Sequence, residues 1–440
     1  MAGHARIRNG LPTVGAWLAP SAPNGPDWLP YMRDICDRFW PPPAVVTLEA
    51  GRPYSPRTAR DRGLEEPGTR KFFLVSGLGR PPLLTPATPR TAAIAVDHYS
   101  GQRSPAARRA TKVLSFWLAR GLGGPALRGR VQVSAPSGAD TIEAYLRDVI
   151  AQEIRLSMYL GPARANRKPV LQLLSTTGES IAFVKIGVNP LTSELVRAEH
   201  ESLTRLSQAD LTDIVIPRVL HSDRWRGLDI LVLSALPVWL RHHPLRSSQL
   251  VGAMSQVAGA YGLRREALQG SAYLRRLRER LVGADESAER HALLRALDEL
   301  GARAGSTVLD YGAWHGDWAP WNMANTSHGL LVWDWERFTC GVPLGFDALH
   351  HWLHTEVEAR RREPLAAASD CLDRAPDLVA PFGISGRQAR VTATLYLADL
   401  ATRYLADRQA KAGAQRGAPG AWLIPAIAGE VAGLPAGPER

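Results

Sequence analysis

Residues 309–347 read LDYGAWHGDWAPWNMANTSHGLLVWDWERFTCGVPLGFD, and the spacing inside this stretch decides how the chain is read. His315-Gly316-Asp317 is followed by Pro320 and, five positions after Asp317, by Asn322. Twelve residues beyond Asn322 comes Asp334, at the end of the apolar run Leu330-Leu331-Val332-Trp333. Between them lies Asn325-Thr326-Ser327-His328-Gly329, a cluster of residues that favour chain reversal. The pattern predicts a loop, a short strand, a turn and a second short strand, with the reversal bringing Asp334 beside Asn322.

Three oxygen-bearing side chains at that spacing suit phosphoryl transfer. One carboxylate takes the proton of an attacking hydroxyl, and two oxygen ligands hold Mg²⁺ against nucleotide phosphates. The Asp317-to-Asn322 interval equals the one between the catalytic Asp and the metal-binding Asn of the protein-kinase signature. With HGD followed by Pro320 and Asn322, then Asp334-Trp335-Glu336, the stretch resembles the aminoglycoside phosphotransferase and choline kinase family, small-molecule relatives of protein kinases. The Gly341-Val342-Pro343 turn leading to Asp347 is similar too, and in that family the later Asp buttresses the catalytic loop. The resemblance covers roughly residues 154–404. It implies a two-lobed α+β fold, with Asp317 as base, Asn322 and Asp334 as metal ligands, Glu336 as an outer-shell group and His315 holding the loop backbone.

The bulk properties are compatible with this. The chain has 440 residues, 45% hydrophobic and 22% charged, an ordinary globular balance long enough for two or three compact units. Its formal charge is +11, but no run of five or more Lys/Arg occurs, so the excess reads as a solvated basic surface rather than a nucleic-acid footprint. The three cysteines, Cys36, Cys340 and Cys371, lie far apart, which argues against a disulfide framework or a zinc site. No apolar run approaches a membrane span, and residues 14–19 are too short for a signal-peptide core. These features predict a soluble cytoplasmic protein.

Residues 1–139 carry no motif. Pro41-Pro42-Pro43 and Pro81-Pro82 interrupt them. Strands are expected at residues 44–48, 72–75, 92–96 and 130–133, and a helix at 106–120, ended by the glycines of 121–124. This region reads as an N-terminal α+β extension with a boundary near Gly138. A second helix opens there, with Asp140 and Glu143 in a capping-box relation.

A small lobe is expected over residues 140–236. Strands are predicted at 154–160, 170–174 and 181–186, and the first turn, 161–168, would lie over phosphates although it has one Gly where kinases have a glycine-rich loop. Lys185 stands inside the apolar run Ile181-Ala182-Phe183-Val184 of a chain that otherwise prefers Arg. A buried ammonium needs an anionic partner. The next helix, with Ser193 as its cap, supplies Glu199 on one stripe with Leu195, Leu203 and Leu206. The resemblance assigns Lys185 to the α/β-phosphates of the nucleotide, paired with Glu199. It also makes Ser234 and Leu236, after a strand at 228–233, backbone contacts of the base.

Residues 237–440 are expected to form a helical lobe containing the catalytic loop. Amphipathic helices are read at 246–304, 349–361, 365–372 and 388–408. Residues 409–420 read as a flexible link, after which Trp422-Leu423-Ile424 docks back. Trp314, Trp318, Trp321, Trp333 and Trp335 crowd the motif, more as core than as a stacking platform. His350, His351 and His354 read as surface or packing histidines.

The function expected from the resemblance is transfer of the γ-phosphoryl group of ATP (or GTP), with Mg²⁺, to a hydroxyl of a small molecule such as a sugar, aminoglycoside, amino alcohol or pathway intermediate. The expected partners are nucleotide and that substrate. Two alternatives differ in class. One is a kinase acting on peptide or protein hydroxyls, disfavoured by the lack of an Ala-Pro-Glu activation segment. The other is a non-catalytic pseudokinase module, disfavoured by the joint presence of Lys185, Asp317, Asn322 and Asp334.

Overall fold

Short runs of β-branched, leucine and aromatic residues recur up to Trp239, and they pair into one antiparallel sheet. The computed structural model describes residues 28–50, 68–75, 82–98, 105–121, 129–413 and 418–435. Residues 14–19, Pro81 and the glycines at 123 and 124 lie outside them. The described chain forms two units, a β-rich one and a mainly helical one, which is the mixed α+β class read from the sequence.

The first unit comprises Met1–Pro162, Arg167–Val188 and Val219–Trp239. Its strands are β1 (Val45–Ala50), β2 (Thr69–Val75), β3 (Leu83–Pro86), β4 (Gly129–Ser134), β5 (Arg155–Tyr159), β6 (Val170–Leu174), β7 (Ser180–Gly187), β9 (Val219–Trp225) and β10 (Leu228–Ser234). The nine-stranded order is β1-β4-β2-β3-β5-β6-β7-β10-β9. Strand alternation sorts its side chains: Phe72 and Leu74 join one core with Leu156, Leu171, Val184 and Ile230, while Phe73 joins a second with Leu83, Ala92 and Leu118. Burying each large apolar side chain stabilises the fold by roughly 1.5–3 kcal/mol.

No break in this sheet coincides with Gly138. Leu83 and Leu84 of β3 pair with Tyr159 and Met158 of β5, and Ser157 Oγ donates to the Leu84 carbonyl at 3.0 Å. Residues on both sides of Gly138 thus share one sheet and one core. Helices α1 (Leu29–Phe39) and α4 (Ile142–Ile150) contribute Ile35, Phe39, Ile142 and Leu146 to it.

Two local expectations are corrected here. Residues 92–96 are helical, inside α2 (Pro89–His98). Pro89 opens that helix with its φ preset, and alanines at 92, 93 and 95 favour the helix over a strand. Helix α3 (Pro105–Ala119) falls where expected. The cap of α4 is Thr141, whose side chain accepts from the Ala144 N–H at 3.2 Å. Asp140 instead accepts from Trp225 and Arg226, and Glu143 from the Trp40 indole at 3.0 Å.

The second unit comprises Ala163–Asn166, Asn189–Arg218 and Leu240–Arg440. It opens with α5 (Pro190–Leu206), capped by Asn189 in a reciprocal arrangement with Thr192, not by Ser193. Pro190 at the first helical position fixes that start. After β8 (Ile214–Val215) come α6 (Ser247–Gly259), β11 (Arg264–Ala267), α7 (Ala272–Val282), α8 (Ala288–Ala304) and β12 (Val308–Trp314). Strand β11 was hidden in a stretch read as helical. It is four residues long, mostly charged, and held by pairing with β12.

Strands β13 (Met323–Thr326), β14 (Gly329–Val332) and β15 (Thr339–Pro343) lead to α9 (Phe346–His354), α10 (Pro364–Asp373), α11 (Ala375–Val379), α12 (Gly386–Ala406) and α13 (Leu423–Gly433). Helix α9 ends in a wider turn at Thr355–Ala359 rather than running on to 361. Helix α12 is buried on nearly all sides from Val391 to Thr402 and forms the centre of this unit's core. Trp422, Leu423 and Ile424 do dock back into that core. The link before them is anchored at its start by the buried Gln409, which accepts from the Ala165 N–H; residues 414–417 lie outside the described residues. No helix among the described residues is long and apolar enough to cross a membrane.

Candidate active site

The hairpin predicted after Asn322 is present. Met323, Ala324, Asn325 and Thr326 pair with Val332, Leu331, Leu330 and Gly329, leaving Ser327 and His328 as a two-residue turn. Gly329, directly after the turn, takes φ 99°, a left-handed conformation that glycine adopts without steric cost. β14 also pairs in parallel with β8, which fixes the hairpin in the unit. The Trp333 N–H donates to the Asn322 carbonyl at 3.0 Å, so the residue before Asp334 is tied to Asn322.

Asp317 follows β12 in a loop held from several sides. His315 is fully buried, and the Asp317 N–H donates to its Nδ1 at 3.1 Å. With Nδ1 accepting, Nε2 carries the proton and donates to the Trp333 carbonyl at 3.0 Å. One imidazole therefore ties the Asp317 loop to the segment before Asp334. Gly316 adopts φ 84°, and a Cβ there would meet the Arg337 carbonyl oxygen at 2.2 Å, so only glycine fits. Arg403 of α12 donates to the Gly316 carbonyl at 2.7 Å.

The Asp317 carboxylate is itself fixed through both oxygens. Asn322 Nδ2 donates to Oδ2 at 2.9 Å and to the Asp317 carbonyl at 2.9 Å. His350 Nε2 lies 3.0 Å from Oδ1. The Asp317 side chain retains 29% exposure, enough for a substrate atom to reach it. His350, read from the sequence as a surface or packing residue, is fully buried against Asp317. The signal was present: three residues after Asp347 on a helix, it shares that carboxylate's face.

Asp334 sits at φ 72°, ψ 53°, a left-handed conformation uncommon outside glycine, asparagine and aspartate. The next N–H, of Trp335, donates to Oε1 of the buried Glu199 on α5 at 3.2 Å. Carboxylate oxygens of Glu199, Asp334 and Glu336 all lie within 4.8 Å of one another. Asn322 turns its Nδ2 toward Asp317, so its amide oxygen faces the other way. These are all hard oxygen donors, a set that fits Mg²⁺ and not a thiophilic metal.

Asp347 is buried in the first turn of α9 and accepts the His315 N–H at 2.8 Å and the Gly316 N–H at 3.2 Å. Burial pushes its carboxyl up from 3.8 to about 7, while the two N–H donors pull the other way. A carboxyl raised in the folded chain holds its proton more tightly there than when unfolded. Its contribution to stability is therefore greatest in acid and falls as the pH climbs from about 4 to about 7. Asp347→Asn removes that titration. Thermal melts should show the native chain losing ground to the variant between about pH 5 and about pH 7; parallel curves would exclude a raised carboxyl.

Trp314, Trp318 and Trp335 are core residues, while Trp321 and Trp333 are half-buried. The later acids are engaged in pairs: Arg360 and Arg362 take the buried Glu356, and Arg362 takes Asp370 at 2.6 Å. In the first unit, Lys185 is 9% exposed on β7, opposite Val170 of β6 and Leu231 of β10. Ser234 ends β10, and the Leu236 carbonyl accepts the Val238 N–H at 2.8 Å. In the turn expected over phosphates, Arg167 is already used, donating to the Leu160 carbonyl at 3.0 Å and lying over the Tyr31 ring.

No protein-family model matches the chain, and no curated protein matches it. Among solved structures it is similar to a choline kinase from Streptococcus pneumoniae at 14% identity, covering 66% of this chain and 99% of that one, with a TM-score of 0.42. It is similar to a thermostable aminoglycoside phosphotransferase mutant in complex with ADP and hygromycin B at 15% identity, over 66% and 98% of the two chains, with a TM-score of 0.44. A spectinomycin phosphotransferase in complex with ADP and spectinomycin is 13% identical over 66% and 98%, with a TM-score of 0.38.

Proposed function

We propose that this chain is a phosphotransferase that moves the γ-phosphoryl group of ATP or GTP to a hydroxyl of a small molecule. The observation that carries the reading is the fixed geometry around Asp317. Its carboxylate is partly exposed, bonded to Asn322, and set in a loop that His315 ties to the segment before Asp334.

Asp317 orients the acceptor hydroxyl and accepts its proton as the oxygen attacks the γ-phosphorus. A bond to phosphorus forms as the bond to the leaving nucleoside diphosphate breaks. Asn322 and Asp334 would hold Mg²⁺, with Glu336 outside them, and the ion would neutralise charge on the phosphates. Lys185, Glu199, Ser234 and Leu236 are assigned to the nucleotide. Lys185 takes the α/β-phosphates; Ser234 and Leu236 offer backbone groups to the base.

The direct test is Mg²⁺-dependent hydrolysis of ATP by the full chain, with and without sugars, amino alcohols and aminoglycosides. Stimulation by one acceptor class supports the reading. Stimulation only by peptides moves the acceptor to protein hydroxyls, and no Mg²⁺-dependent turnover leaves a binding module. Lys185→Met should weaken ATP binding roughly 10–100-fold, the worth of one charge-assisted hydrogen bond. Unchanged affinity and turnover in a nucleotide titration would remove Lys185 from the site.

A further inference from the structure

His350 is fully buried on α9, and its ring makes two directed contacts. Nε2 lies 3.0 Å from Asp317 Oδ1, and the Tyr396 hydroxyl of α12 lies 3.2 Å from Nδ1. The carboxylate can only accept, so Nε2 must carry the proton. Burial and the nearby Arg403 guanidinium hold the ring well below its usual range, hence neutral, and Nδ1 must then accept from Tyr396. Burial pushes the Tyr396 phenol well above 10, which keeps that donor protonated. The order of donation is fixed: Tyr396 O–H to Nδ1, Nε2–H to Oδ1. His354 stacks on the same ring at 4.0 Å between centroids and Tyr396 meets it edge-on, so the imidazole has one orientation.

We propose that His350, backed by Tyr396, is a positioning residue for Asp317. Its Nε2–H pins Oδ1 while Asn322 pins Oδ2, which leaves the carboxylate one rotamer and aims its remaining lone pairs at the acceptor hydroxyl. This rests on the phosphotransferase reading for its consequence in turnover, but not for its geometry. An apolar ring could fill the same space; what the imidazole adds is an N–H donor at Nε2, 3.0 Å from Asp317 Oδ1.

The test combines kinetics and spectroscopy on the full chain. In Mg²⁺-dependent ATP hydrolysis, His350→Leu should lower kcat about 10–100-fold with KM for ATP unchanged, the usual size of an outer-shell loss. His350→Gln, which restores an N–H donor near the Nε2 position, should recover most of that. In an Asp317→Asn background, His350→Leu should add no further loss. The inference is overturned if His350→Leu lowers only the melting temperature, if Gln is no better than Leu, or if the two losses multiply. On the unsubstituted chain labelled with ¹⁵N-histidine, His350 should show the neutral Nε2–H tautomer, with its N–H signal moving in Asp317→Asn. An Nδ1–H tautomer or a cationic ring overturns the inference. If hydrolysis is absent altogether, the phosphotransferase reading fails alone, and the imidazole signal decides whether His350 positions Asp317.

Discussion

Asp317→Asn should reduce phosphoryl transfer about 10²–10⁴-fold, the range a positioned general base contributes, while ATP still binds. The substitution keeps the size of the side chain but gives up its proton-accepting charge. It also creates a mismatch. Asn322 Nδ2 and His350 Nε2 approach opposite oxygens of residue 317, and an amide offers only one oxygen to two donors. One of them must lose its acceptor, so part of the loss comes from a displaced loop. Measuring ATP affinity alongside turnover, and repeating both in Asp317→Ala, separates the two effects. Turnover within a few-fold of the native chain would exclude Asp317 as the base.

Asp334→Asn is expected to have an effect of similar size by a different route. Asp334 occupies the left-handed region at φ 72°, which asparagine tolerates and a β-branched residue does not. The backbone should therefore keep its course and the Trp335 N–H its place on Glu199. What disappears is the negative charge proposed to face Mg²⁺. Metal stabilisation of the transferring group amounts to several kcal/mol, so turnover at a fixed Mg²⁺ concentration should fall by about 10³-fold. The half-saturating Mg²⁺ concentration should rise. A variant with the native Mg²⁺ dependence would show that Asp334 does not hold the ion. Asp334→Ala makes a useful contrast, because it adds left-handed strain of roughly 1–2 kcal/mol and should also lower the melting temperature.

The hairpin from Asn322 to Asp334 was legible because everything that makes it is local: a polar turn between two short runs, closed by a glycine. The boundary at Gly138 was misleading because strand order is not local. Chain order gives no hint that β4 inserts between β1 and β2 while β3 turns to β5. Asn189, not Ser193, caps α5, because proline at the first helical position marks the residue before it as the cap. For residues 92–96, a run of small apolar residues has no clear period, and length and an opening proline had to decide. His350 escaped because its partner is 33 residues away and on another element. Asp317, Asn322 and Asp334 were visible as a pattern; the buried ring behind Asp317 was visible only once the helix after Asp347 had a direction.

The two units exchange chain more than once: residues 189–218 belong to the second unit yet precede Val219–Trp239, which completes the sheet of the first. No single cut can liberate either half intact. During synthesis, β7 emerges well before its neighbour β10, and the ribosome must deliver the whole of α5 in the interval. The sheet's far edge therefore waits, open on one side, until residue 234 is out. Gene fusions, split reporters or evolutionary recombination that treat this protein as two beads on a string would sever the strand they mean to keep.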